Sequence, residues 1–133
     1  MGLNKVGGIL MLIGLFLPAL LIIIEGVTVF LWMFGLAYTS GYISWGLDII
    51  GLPFFILILV FSILCIVKDA GKTKVFGILS MVFAIIYYIL WYLVGRAIAN
   101  MAAGYGVQVT ILVIPFIGFF LILIGSILNI AAK

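Results

Sequence analysis

The sequence predicts an all-α integral membrane protein, a four-helix bundle with both termini in the cytoplasm and an interfacial aromatic segment between its first and second spans. Three observations carry that expectation. Of 133 residues, 69% are apolar and 7% charged, against roughly 45–50% and 25% in ordinary soluble domains. Four charge-poor apolar runs have the roughly 20-residue length that a bilayer asks of a helix. The few cations sit between and beyond those runs, as topology signals do.

The first span reads as 6–24, opening after Lys5 and closing at Glu25-Gly26, with a kink at Pro18. Its 19 residues exceed the roughly 7–15 of a signal-peptide core, so it reads as a retained helix. The segment 27–46 carries Phe30, Trp32, Phe34, Tyr38, Tyr42 and Trp45, rings that settle at headgroup level. It reads as an interfacial helix or lid on the outer face. A fifth span there would leave only Glu25-Gly26 as its preceding turn and would carry Lys5 to the outside. The second span covers 47–67, with Pro53 near its start, where proline disturbs a helix least. The polar stretch 68–74, KDAGKTK, is a short cytoplasmic loop. The third span covers 75–95 with an alanine-rich continuation that Gly104-Tyr105-Gly106 breaks, and the fourth covers 109–131 with Pro115 in its early turns. Lys5, Lys68, Lys72, Lys74 and Lys133 fall on one side of this layout and Arg96 on the other, which makes the lysine side cytoplasmic. The chain is one transmembrane domain, 1–133, multi-pass in the cell membrane, with the lipid bilayer as its first partner.

Helices in lipid associate by close packing, so small residues mark contact faces. Gly7 and Gly14 in the first span, Gly77 and Ala84 in the third, and Gly118 and Gly125 in the fourth are the packing candidates. GGILMLIG at 7–14 echoes GFFLILIG at 118–125, so that the first and fourth helices would meet through matching glycine pairs; chance similarity among apolar strings accounts for the echo nearly as well. Ionisable residues near the membrane are the first candidates for function. Glu25, Asp48 and Arg96 fall at the predicted outer ends of helices, where they form an outer-face cluster with Arg96 paired to a carboxylate, or simply mark the water boundary.

Chemistry is scarce. The sequence has no histidine and one cysteine, Cys65, so the usual general base and metal ligand are missing and no internal disulfide can form. No catalytic motif is present, and Gly71-Lys72-Thr73 lacks both the upstream glycine and the preceding strand of a phosphate-binding loop. No cofactor or metal is expected, and six scattered cations make no nucleic-acid surface.

In size and span number the chain resembles small multidrug transporters. That family places a glutamate in the middle of the first helix, whereas Glu25 stands at a helix end, and the lysine asymmetry departs from the family's dual topology. The layout also looks like that of claudin-type four-span proteins, with Trp32 and Trp45-Gly46-Leu47 in a longer first outer loop, although the paired loop cysteines of that family are absent. The expected role is non-catalytic. The chain would act through helix packing, as an accessory or structural subunit of a membrane complex with other membrane subunits, or as a self-assembling component. The alternative is a small oligomeric transporter or channel with Glu25, Asp48 and Arg96 at its mouth.

Overall fold

Residues 2–39, 42–45 and 50–132 are described by a computed structural model, with strand backbone alone at 42, 44 and 45. The element order is α1 (Leu3–Leu15), β1 (Leu20–Ile24), β2 (Val27–Leu31), β3 (Leu36–Thr39), β4 (Tyr42–Trp45), α2 (Gly51–Val67), α3 (Lys74–Gly104), β5 (Ile111–Pro115) and α4 (Ile117–Ala131). The five strands form one antiparallel sheet in the order β4-β3-β2-β1-β5. The fold is therefore α+β, and the all-α four-helix bundle expected from the sequence is overturned. Among the described residues only α3, with 31 residues, is long and apolar enough to cross a membrane as a helix. The helices α1, α2 and α4 have 13, 17 and 15 residues.

The expected first span, 6–24, is half helix and half strand. Helix α1 stops at Leu15, Pro18 lies beyond its end, and the run LLIII that follows is β1. Bulky β-branched side chains suit a pleated strand better than a helix. Glu25 and Gly26 then take φ of +49° and +81°, a two-residue turn of the type that joins right-twisted strands. They turn the chain directly into β2, with Ile24 opposite Val27. The same pair of residues read as a helix terminus in the sequence. The segment 27–46 is likewise neither helix nor lid within the described residues: β2, β3 and β4 continue the meander, with Phe30 opposite Tyr38 and Leu31 opposite Ala37. This segment, which carried the likeness to claudin-type layout, supplies β2–β4, whereas β1 comes from the expected first span and β5 from the expected fourth. The fourth expected span, 109–131, also divides. Pro115 closes β5, because the residue before a proline favours extended backbone, and α4 begins only at Ile117.

Segments α1–β1 and β5–α4 lie side by side and antiparallel over their whole length. At the helical end, a Cβ built on Gly7 would sit 2.5 Å from the Gly125 carbonyl, and one on Gly125 would collide with the Gly7 carbonyl. One turn pair further on, a Cβ on Gly14 would meet the Gly118 carbonyl at 2.7 Å. At the junction, Gly118 N–H donates to the Pro18 carbonyl at 2.9 Å and Phe116 N–H to the Ala19 carbonyl at 3.0 Å. These bonds satisfy donors that the first turn of α4 would otherwise leave free. Beyond it, Leu20 pairs with Pro115 and the ladder runs out to Ile24 and Ile111. Helix α2 closes against α1, where Asn4 Nδ2 donates to the carbonyls of Cys65 at 3.0 Å and Lys68 at 2.9 Å. Helix α3 closes against α4, where a Cβ on Gly77 would meet the Ser126 carbonyl at 2.7 Å.

The glycine contacts make a direct test. Replacing Gly125 with alanine should lower stability in detergent by about 1–3 kcal/mol, the usual range for overpacking, because its Cβ would meet backbone on both Gly7 and Met11. Gly104→Ala, at the end of α3 with open space around it, should not lower the unfolding midpoint. Thermal unfolding followed by circular dichroism reads both.

Candidate functional site

The end of the molecule away from the lysines gathers the features that set a site apart. There the β1–β2 turn, the start of β5 and the outer half of α3 converge. Glu25 Oε1 accepts a hydrogen bond from Thr110 N–H at 2.7 Å, and Glu25 N–H donates back to the Thr110 carbonyl at 3.4 Å. The carboxylate thus fastens the tip of the first hairpin to the strand that pairs with it from the far end of the chain.

Arg96 is exposed on α3, one residue beyond Gly95, whose face packs on Ile111 and Val113 of β5. Among the described residues no carboxylate lies within ion-pair distance of Arg96; the pair found there is Lys72 with Asp69, exposed and 3.8 Å apart at the opposite end. Asp48, the third member of the expected cluster, lies outside the described residues. Glu25 and Arg96 therefore share the outer end without forming the ion pair that the sequence suggested. Of the packing candidates, the structure brings Gly7 to Gly125, Gly14 to Gly118, and Gly77 to Ser126 and Asn129, and it buries Ala84 fully within the core.

Below Arg96 lies an apolar cavity of about 60 Å³ lined by Ile22, Ile24, Trp91, Val94, Gly95, Ile98, Ile111 and Val113. It separates α3 from the inner face of β1 and β5. Tyr88 braces its lower edge by donating its hydroxyl to the Val113 carbonyl at 3.0 Å. The wall is hydrocarbon throughout and holds no group that could move a proton or polarise a bond. No group of three or more His, Cys, Asp or Glu residues that could hold a metal ion occurs among the described residues.

At the lysine end several uncharged polar side chains are buried. Asn4 is 2% exposed and Asn129 is fully enclosed. Asn129 Nδ2 donates to the Gly125 carbonyl at 3.0 Å and reaches Met11 Sδ at 3.8 Å, whereas the hydroxyls of Ser62 and Ser126 bond to carbonyls of their own helices. Asn4, which sequence reasoning left outside the first span, is the residue that ties α1 to the end of α2. The signal was available in principle: an amide one position before the boundary lysine has two donors to place. No protein-family model, curated protein or solved structure matches the chain.

The separation of Glu25 from Arg96 predicts additivity. In a double-mutant cycle, Glu25→Gln and Arg96→Gln should combine to within about 0.3–0.5 kcal/mol, the behaviour of sites that share no partner. Glu25→Gln should also weaken protection of the Thr110 amide in hydrogen exchange, and Arg96→Gln should leave it unchanged.

Proposed function

We propose that the chain is a non-catalytic, multi-pass component of the cell membrane that acts through packing, as an accessory subunit of a membrane complex or as a self-assembling element. One observation carries the membrane part of this reading: the helices turn a broad aliphatic surface outward while polar side chains are sealed inside. Asn4, Ser62, Ser80, Ser126 and Asn129 are sealed beside close-packed glycines and an apolar core that includes Met11, Leu15, Ile58, Tyr87 and Ile122, whereas many outward positions are branched aliphatics. On α3 alone Val75, Ile78, Val82, Ile85, Ile86, Ile89 and Leu93 are exposed, and α2 and α4 present Val60, Ile63, Ile124 and Ile127. Monomeric soluble proteins rarely expose contiguous apolar patches beyond a few hundred Å², and here exposed aliphatics recur along α2, α3 and α4.

The spacing of charge supports the same reading. Lys74 and Arg96 on α3 are 22 residues apart, which at 1.5 Å per residue separates them by about 33 Å, close to the roughly 30 Å of a hydrocarbon core. The run between Lys5 and Glu25 covers a comparable height with helix below and strand above. The lysines at the ends of α1, α2 and α3 would then face the cytoplasm. The packing part rests on the interior. Where α1 meets α4 it is closed by backbone against backbone, and the exposed aliphatic surfaces are what the chain offers to partners.

Alkaline carbonate washing of native membranes should leave the protein in the pellet, and its release would remove the membrane reading. Native mass spectrometry after mild extraction should then find either a stoichiometric larger partner or a defined homo-oligomer. An isolated monomer would end the packing reading. Flux through reconstituted vesicles that is abolished by Glu25→Gln would replace that reading with a transporter.

A further inference from the structure

We infer that the sheet does not stand clear in water: the base of its outward face lies in the lipid leaflet opposite the lysines. The inference rests on the membrane reading above and adds what covers the sheet. Strand register defines two faces. Leu20, Ile22, Leu31, Ala37 and Val113 point toward the helices and are buried. On the other face, Ile114, Leu21, Phe30, Tyr38 and Ile43 form one row across all five strands. Its exposed members include Ile43 at 64%, with Leu112 beside the row at 50%. None of the five strands contains a charged residue.

Depth is set by α3. Tyr88 and Trp91 lie about 21 and 26 Å above Lys74 at 1.5 Å per residue, inside a hydrocarbon core of about 30 Å. Tyr88 bonds the Val113 carbonyl, and Trp91 shares the cavity wall with Ile22 and Val113. Since β5 runs down toward α4, Ile114 is deeper still.

An unanswered polar backbone group on a strand edge at that depth is costly. The bonds Phe116 N–H to Ala19 O and Glu25 N–H to Thr110 O mark alternate positions of the ladder, so that 112 and 114 bond to β1 while 111, 113 and 115 turn outward. Two of those outward groups are accounted for by the sequence itself. The Val113 carbonyl receives the Tyr88 hydroxyl, and Pro115 has no N–H to leave unpaired.

The test uses full-length single-cysteine variants in a Cys65→Ser background, Cys65 being buried, labelled with an environment-sensitive fluorophore and reconstituted into phosphatidylcholine vesicles. Ile114→Cys and Ile43→Cys report the sheet face, Ile86→Cys the exposed side of α3, and Gln108→Cys the turn before β5. Both sheet positions and Ile86 should lose emission to acyl-chain-brominated lipid and resist aqueous iodide, with Gln108 the reverse. Iodide quenching at either sheet position while Ile86 stays lipid-quenched overturns this inference and leaves the membrane reading standing. Protection from both quenchers at the sheet positions also overturns it, since a second copy or another protein then covers the face. Iodide quenching at Ile86 removes the membrane reading itself.

Discussion

The close approach of α1 to α4, and its continuation as the β1–β5 ladder, is the constraint on which the other elements depend. Glycines at 7, 14, 118 and 125 let two backbones meet with no side chain between them. Packing of this closeness is what holds helices together where no water drives burial. Because the two segments are antiparallel and stay in register past the helix ends, the junction peptides find each other: Pro18 with Gly118, Ala19 with Phe116. The switch from helix to strand then occurs on both segments at the same height, where the two breaks share hydrogen bonds. Helices α2 and α3 are added to the two sides of this pair, through Asn4 on one side and the Gly77 surface on the other.

The sheet follows from that pair. Strand β1 is already placed by the ladder with β5, and the two-residue Glu25-Gly26 turn can only lay β2 along its free edge. Strands β3 and β4 extend the meander in sequence order, so the chain needs no crossover within it. Aromatic rings fasten the sheet to the helices at its base: Phe16, Phe34 and Phe55 join the end of α1, the β2–β3 turn and the start of α2 at centroid distances of 5.6–6.1 Å. Such ring pairs contribute about 0.5–1.5 kcal/mol beyond the area they bury. The outer end is thereby rigidly mounted, and its cavity and charged tip keep a defined geometry relative to the helical layer.

Glycine, serine and asparagine are sealed beside an apolar core, Met11, Leu15, Ile58, Tyr87 and Ile122 among it, within a surface that exposes isoleucine, valine and leucine. In an apolar surround, burial of aliphatic side chains is no longer the dominant gain, and what distinguishes the inside is closeness of backbone and the chance to satisfy a polar group. Asn4 fits that logic, whereas Asn129 Oδ1 has no hydrogen-bond partner among the described residues. Asn4 places both of its donor hydrogens on carbonyls near the end of α2, where helix geometry leaves carbonyls without partners of their own. The outer site obeys the same economy: Glu25 is used to hold Thr110, and the hydrocarbon-lined cavity beneath it offers contact rather than reaction.

Composition alone was enough to show an apolar, charge-poor chain, and the glycine spacing marked positions that the structure sets against one another. The location of polar breaks, 68–74 above all, was legible because a run of charge and glycine between apolar segments has few alternatives. The split of 6–24 and 109–131 into helix and strand was not read, although Pro18, Pro115 and the β-branched runs beside them were its local signs. An apolar run of 19 residues satisfies the length of a spanning helix whether or not its second half is extended, and hydropathy does not distinguish the two. The decision belongs to tertiary structure: LLIII is a strand because ILVIP, some ninety residues away, lies beside it and supplies the hydrogen bonds that a helix would have made within itself. The fate of Glu25 is non-local for the same reason, since its partner Thr110 is brought to it only when that ladder closes.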